Sequence, residues 1–248
     1  MTPKLPEATI SEFDGVRYLH LGNTPWVQGA MDTRQPRTLV LEYVQRMMAW
    51  MLWRPSAELA QGHAVQLGLG AASITRFCLQ VLRMQRVTAV ELNPTVIAAC
   101  RQGLRLPADD ARLAVIEIDA EHWVHDDTHL QTAQVLSVDL YDHQAASPVL
   151  DSAAFYAACH GVLAHGGVMS VNLFGRASHF ARSTERIATA FGRDQVWRLR
   201  PTKEGNTVVI AARGITVPDR DELLLRAANI ERRWGLPARK WLRMVRPL

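Results

Sequence analysis

The chain has 248 residues, 48% of them hydrophobic and 21% charged, with a formal net charge of +4. This suits one large α/β domain, or a compact domain with a small appendage, and an ordered globular core. No run of about 18 apolar residues occurs, so neither a membrane-spanning helix nor a membrane partner is expected. The opening MTPKLPEATISEF lacks the apolar core of a signal peptide, and Cys78, Cys100 and Cys159 form no C-x-x-C pair. Both features are expected of a cytoplasmic chain whose cysteines are buried small apolar residues.

Residues 8–30 hold short alternating pieces, ATISEF, VRYLHL and PWVQG, with Asp14-Gly15 between the first two. Asp-Gly between apolar runs is a hairpin signal. A small antiparallel unit over 1–35 is expected, too small to bury a core unless it leans on the rest of the chain or on a partner subunit. From Pro36 to Trp53 apolar residues recur at helical spacing, and Pro55 ends the run. Its methionines and tryptophans suit core filling better than a cofactor box. The pattern then alternates. Strands are expected at 64–70, 86–92, 113–120, 133–140 and 167–174, with helices at 72–82, 94–104, 151–164 and near 178–191. A hairpin follows over 195–213 and a last helix over 219–234. Strands alternating with helices mean a doubly wound, mostly parallel α/β sheet over 36–218. Residues 219–248 form a helix and a basic tail.

Ligands of such sheets bind outside the carboxyl ends of the strands. There stand Gly68-Leu69-Gly70, Glu91, Asp119 and Asp139. Gly68 and Gly70 let a ligand approach the backbone, and the next helix offers free N–H groups. The third glycine of a dinucleotide signature is absent, with Ser73 in its place. Glu91 lies about 20 residues beyond the glycines, the distance at which an acid reaches a bound ribose. Glycine turn and acid together suit an adenosine-containing ligand and do not separate NAD from S-adenosylmethionine. Asp119-Ala120 favours the second, since a third-strand acid can accept from an adenine amino group; Asp119 can also simply cap the following turn. Asp139 and Asp142 add acids to the same crevice. Gathered carboxylates repel unless a cation binds among them. A sulfonium and a protonated amine are both cations, and the amine must lose a proton before it attacks carbon. For Asp142 a turn cap and a catalytic role both stay open.

The segment from Ala64 to Asn172 resembles the polyamine aminopropyltransferases, the spermidine and spermine synthases. The resemblance is carried by AVQLGLG, VTAVELNPTVI, IEIDAEHWV, VLSVDLYD and FYAACHGVLAHGGVMSVNL. LHLGNTPWVQG resembles the family's strand ending in a glutamine, here Gln28. The resemblance implies the S-adenosylmethionine-dependent methyltransferase type of fold with a small amino-terminal β-unit. It implies decarboxylated S-adenosylmethionine as co-substrate over Gly68 and Gly70, no prosthetic group, and a polyamine such as putrescine as acceptor. Glu91 would hold the ribose, Asp119 and Ala120 the adenine; Asp139, helped by Asp142, would deprotonate the amine. A homodimer is also implied. Here Gly68-Leu69-Gly70-Ala71-Ala72 replaces the family's Gly-Gly-Gly-Asp-Gly, the family's Tyr-His-Glu has no clear match around LEYVQRMM, and HQAA follows Asp142. The sequence therefore looks like the divergent synthase-like branch.

Two alternatives stay open: a methyltransferase using ordinary S-adenosylmethionine, and a non-catalytic nucleoside- or polyamine-binding protein. Ala71 favours the first, because an aspartate there would repel a donor carboxylate. His122, His125 and His129 suit surface or structural roles, and no metal site is expected. The late basic residues, Arg226 to Arg246, read as a solvated helix face. No nucleic-acid motif accompanies them, and Trp234 and Trp241 read as anchors of the helix on the core. Residues 142–151 are the expected gate of the site.

Overall fold

The computed structural model describes residues 5–23, 26–140, 150–174 and 177–248. Asp142 and residues 142–149 of the expected gate lie outside them.

Strands β1 (Ala8–Phe13), β2 (Val16–Leu21) and β3 (Val27–Asp32) form an antiparallel sheet in that order. Asp14 and Gly15 both take positive φ, 49° and 74°, as a two-residue hairpin turn requires. The sheet leans on the rest of the chain through polar contacts: the Ala8 N–H donates to Thr95 Oγ1 at 3.0 Å and Asn93 Nδ2 to the Pro6 carbonyl at 2.7 Å. Gly29 of β3 lies so close to Ala71 that a Cβ there would sit 2.6 Å from the Ala71 backbone nitrogen.

The helix expected from Pro36 starts later. α1 spans Glu42–Met47 and tightens into a 3₁₀ turn over Met48–Leu52. The segment before it is held open by tertiary contacts: Arg76 Nε takes the Pro36 carbonyl and Gln45 Nε2 the Leu39 carbonyl. These outweigh helical spacing, which is a weak local preference.

The main sheet has eight strands in the order β11-β9-β10-β8-β7-β4-β5-β6. β4 (His63–Leu67), β5 (Arg86–Glu91), β6 (Leu113–Glu117), β7 (Ala133–Val138) and β8 (Leu163–Leu173) are mutually parallel. β9 (Val196–Arg198), β10 (Thr207–Ala212) and β11 (Arg246–Pro247) add antiparallel pairs at one edge. β8 begins four residues earlier than expected. Leu163 already pairs with Ala133, and a bulge then restores register at Val135 and Val168. The stretch beyond 219 is more than a helix and tail: its last residues form edge strand β11.

α2 (Ser73–Arg76) runs on as a π-helical turn over Phe77–Val81. After it come α3 (Pro94–Gly103), α4 (Ala120–Val124), α5 (Ala153–Val162), α6 (Ala177–Phe191), α7 (Arg220–Trp234) and α8 (Ala238–Met244). One face of the sheet is covered by Met47, Trp50 and Met51 with Ile230 of α7 and Trp241 of α8, all fully buried. The other face buries Trp123, Phe155, Cys159 and Ile187 from α4 to α6. The methionine-rich run is thus core, and Trp241 anchors the carboxyl-terminal helices. Cys78, Cys100 and Cys159 are free and buried. No helix among the described residues is long and apolar enough to cross a membrane.

β4 is flanked by β5 on one side and β7 on the other, so the order of connection reverses at β4. A crevice at the carboxyl ends of these strands results from that reversal.

Candidate active site

A cavity of about 770 Å³ opens there, lined from β3, α1, the β4 and β5 loops, the start of α4, and the ends of β7 and β8. Gln28, Gly68, Gly70, Glu91, Asp119, Ala120 and Asp139 all line it, so the structure brings together every expected site residue that it describes.

Gly68 has φ +84°, and a Cβ on it would run into the Asp139 carbonyl oxygen. Gly70 has φ +50°, and its Cβ would sit 3.0 Å from the Gln28 carbonyl. Both positions need glycine, one to pass β7 and the other to pass β3. Ala71, after them, is 2% exposed and wedged against Gly29, so no carboxylate stands at this point of the loop. Arg76, buried beneath, donates to the Ala71 and Leu104 carbonyls at 2.6 and 2.7 Å and so fixes the back of the loop. Desolvation lowers its pKa to about 10, and it stays charged at neutral pH.

Glu91 accepts from the Leu69 N–H and the Asn93 N–H, each at 2.9 Å, and from the Leu92 N–H. Burial pushes its carboxyl above the usual range, and the backbone bonds pull the other way. A carboxylate offers about four lone-pair sites, so acceptor capacity remains beyond those bonds. Asp119 caps α4, accepting from the Glu121 N–H at 2.8 Å while it lines the cavity. Capping and cavity lining coexist in one side chain.

Asp139 lies just past β7. Its N–H donates to the Leu67 carbonyl at 2.9 Å, which sets the side chain at the cavity wall. Asn172 Nδ2, at the end of neighbouring β8, donates to its Oδ1 at 2.8 Å, and the Tyr43 hydroxyl donates to the same carboxylate. Desolvation drives its pKa up; these two donors oppose that. Burial disfavours the charged form, and donors favour it. Tyr43, Glu42, Asn172, Glu204 and Asn206 also line the cavity and are not singled out by the sequence. Asn172 alone had a signal: a polar residue at the end of an apolar strand, in SVNLF. Glu42 is held ionised by Arg46 Nη2 at 2.7 Å and Lys240 Nζ at 3.0 Å. The histidines lie elsewhere: His125 Nδ1 bonds to the Glu121 carbonyl, and His129 stacks on Trp123.

No family model matches the sequence. Over 238 residues the chain is 31% identical to the polyamine aminopropyltransferase of Neisseria meningitidis, covering 96% of this chain and 88% of that one. It belongs to the polyamine aminopropyltransferase family. The enzyme of that name from Chromobacterium violaceum is 30% identical over 233 residues, covering 94% of this chain and 86% of its own. Among solved structures, a probable spermidine synthase from Corynebacterium glutamicum superposes with a TM-score of 0.75 at 17% identity, covering 93% of this chain and 85% of that one. Human methyltransferase-like protein 13, solved with SAH, gives 0.69 at 19% identity over 78% of this chain and 92% of its own. Both neighbours establish the methyltransferase-type fold. The buried Ala71 leaves this chain's glycine loop without an acid.

Proposed function

We propose that this chain transfers an aminopropyl group from decarboxylated S-adenosylmethionine to a polyamine such as putrescine, releasing methylthioadenosine. The observation that carries the proposal is the charge of the cavity. Glu91, Asp119, Asp139 and Glu204 line it beside Glu42, whose charge is already met by Arg46 and Lys240, and no lysine, arginine or histidine lines it among the described residues. A wall of one sign attracts a ligand of the other, and here both substrates are cationic. Apolar surface from Leu41, Trp26 and Phe174 suits the methylenes of a polyamine.

In this proposal the nucleoside lies over Gly68 and Gly70. Glu91 receives a ribose hydroxyl on its remaining lone pair, Asp119 receives the adenine amino group, Ala120 leaves room for the ring, and Gln28 closes the β3 side. Asp139 is the base. The acceptor nitrogen, once neutral, attacks the carbon attached to the sulfonium sulfur. A C–N bond forms as the C–S bond breaks; its electron pair goes to sulfur, which becomes the neutral thioether of methylthioadenosine. The proton shed by the nitrogen goes to the Asp139 carboxylate. A carboxyl raised above its usual range is better matched to proton transfer near neutral pH than an exposed one.

Ala71 favours a second reading, methyl transfer from ordinary S-adenosylmethionine, because no loop acid repels that donor's carboxylate. Calorimetric titration with methylthioadenosine and with each S-adenosyl donor, with and without putrescine, separates the two. Aminopropyl transfer requires tighter binding of the decarboxylated donor, strengthened by putrescine, and methylthioadenosine as product. Tighter binding of the carboxylated donor overturns it in favour of methyl transfer, and binding without turnover leaves a non-catalytic binding protein.

A further inference from the structure

We propose that Asn206 is a positioning residue for Asp139, acting through the Asn172 amide, so that the β9–β10 turn sets the direction in which the base faces its acceptor. This rests on the reading of Asp139 as the base.

Three side chains from three strand ends form one line. Asn206 Nδ2 donates to Asn172 Oδ1 at 3.1 Å, and Asn172 Nδ2 donates to Asp139 Oδ1 at 2.8 Å. The order of donors matters. An asparagine amide has nearly the same shape after a half-turn about its last bond, but its oxygen and nitrogen then exchange places. With the oxygen of Asn172 toward Asp139, two acceptors would face each other. Donation from Asn206 to that oxygen holds the amide the other way round. Asn172 is 4% exposed, so water competes little for either bond.

The turn that carries Asn206 holds itself. The Thr202 N–H donates to the Asn206 carbonyl at 2.8 Å, the Asn206 N–H to Thr202 Oγ1 at 3.2 Å, and the Gly205 N–H to the Thr202 carbonyl at 3.2 Å. None of these uses the Asn206 side-chain amide, which points to Asn172 instead. Truncating that side chain leaves the turn its main-chain bonds.

The groups that share the cavity with Asp139 are Tyr43 and Glu42 from α1, Glu91 from β5, Asp119 from the start of α4, and Glu204 from the same turn as Asn206. Desolvation disfavours its ionisation. Donation from Asn172 and Tyr43 favours ionisation. Losing the correctly turned Asn172 amide therefore moves the carboxyl titration up in pH.

The test compares wild type with Asn206→Leu, Asn206→Ala and Asn206→Ser. The readouts are kcat against pH with decarboxylated S-adenosylmethionine and putrescine, carboxyl ¹³C titration of Asp139 by NMR without ligands, and calorimetric affinity for methylthioadenosine. Asn206→Leu and Asn206→Ala are expected to lower kcat about five- to tenfold, the worth of one hydrogen bond. Both the carboxyl titration and the acidic limb of the kcat profile should move to higher pH, with methylthioadenosine affinity within about twofold of wild type. Asn206→Ser, which keeps a donor, should recover part of the shift. Wild-type titration and profile in both Leu and Ala variants overturn the positioning role. Failure of the underlying reading looks different: wild type makes no methylthioadenosine, or Asp139→Asn turns over normally. The ligand-free NMR titration still decides whether Asn206 controls the carboxyl.

Discussion

At the β4–β5–β6 end of the cavity the acids are held mainly by the main chain. Asp119 is fixed by an N–H two residues on, and Glu91 by the N–H groups of Asn93, Leu92 and Leu69. At the β7–β8 end Asp139 is held by side chains distant in sequence, Tyr43 from α1 and Asn172 from β8, with Asn206 behind the latter. Nearly every residue supplies an N–H, so a main-chain cradle survives substitution of its neighbours. A side-chain network needs particular residues, yet can be rebuilt from any element that reaches the spot. On the proposed function, the end held by the main chain takes the nucleoside and the end held by side chains takes the acceptor.

The sharpest way to break this contrast is Asp139→Asn. We expect kcat to fall about 100-fold or more, the usual worth of a general base, with methylthioadenosine affinity nearly unchanged; equal losses of both would mean the ends are not separable. The same variant carries a stability signature. Desolvation raises the folded carboxyl above its unfolded value, so the native state holds that proton more tightly. The contribution of Asp139 to stability is full below the unfolded pKa and is lost as pH rises through the folded one. Asparagine keeps an acceptor for Asn172, and the Tyr43 hydroxyl can rotate to accept from the new amide. Asp139→Asn should therefore melt higher than wild type at mildly alkaline pH, with the difference shrinking on acidification in thermal melts.

Gly68→Ala probes the seam between the ends, since its Cβ would meet the Asp139 carbonyl at positive φ. A loss of about 2–4 kcal/mol in urea unfolding is expected from strain plus overpacking. Glu91→Gln acts on the nucleoside end alone. Its new NH₂ must face one of the N–H groups that the carboxylate accepts, so methylthioadenosine affinity should fall about tenfold by calorimetry, with kcat at saturation little changed. Asp119→Asn is the gentlest. Asparagine caps a helix as well as aspartate, so stability should stay within about 0.5 kcal/mol. Its second polar atom becomes a donor facing the adenine amino group, so affinity should fall about threefold to fivefold. Unchanged affinity would reduce Asp119 to a cap.

Most of the parallel sheet was legible because each strand is an apolar run closed by a polar residue or glycine, and that pattern is local. Helix boundaries were less so. The run from Pro36 reads as helix throughout, yet Arg76, forty positions on, captures the Pro36 carbonyl and delays α1. Likewise β8 starts at Leu163 because Ala133 offers it a ladder partner, which no window around Leu163 can reveal.

The sequence by itself determined the alternating α/β order, the hairpin at Asp14-Gly15, the buried methionine–tryptophan run and the acids at the strand ends, because each depends on neighbours within a few residues. Only the tertiary structure decided that Tyr43 meets Asp139, that Asn172 and Asn206 line up behind it, and that Ala71 is sealed against Gly29. Those contacts join separate elements, and their geometry is set by strand order and close packing rather than by spacing along the chain.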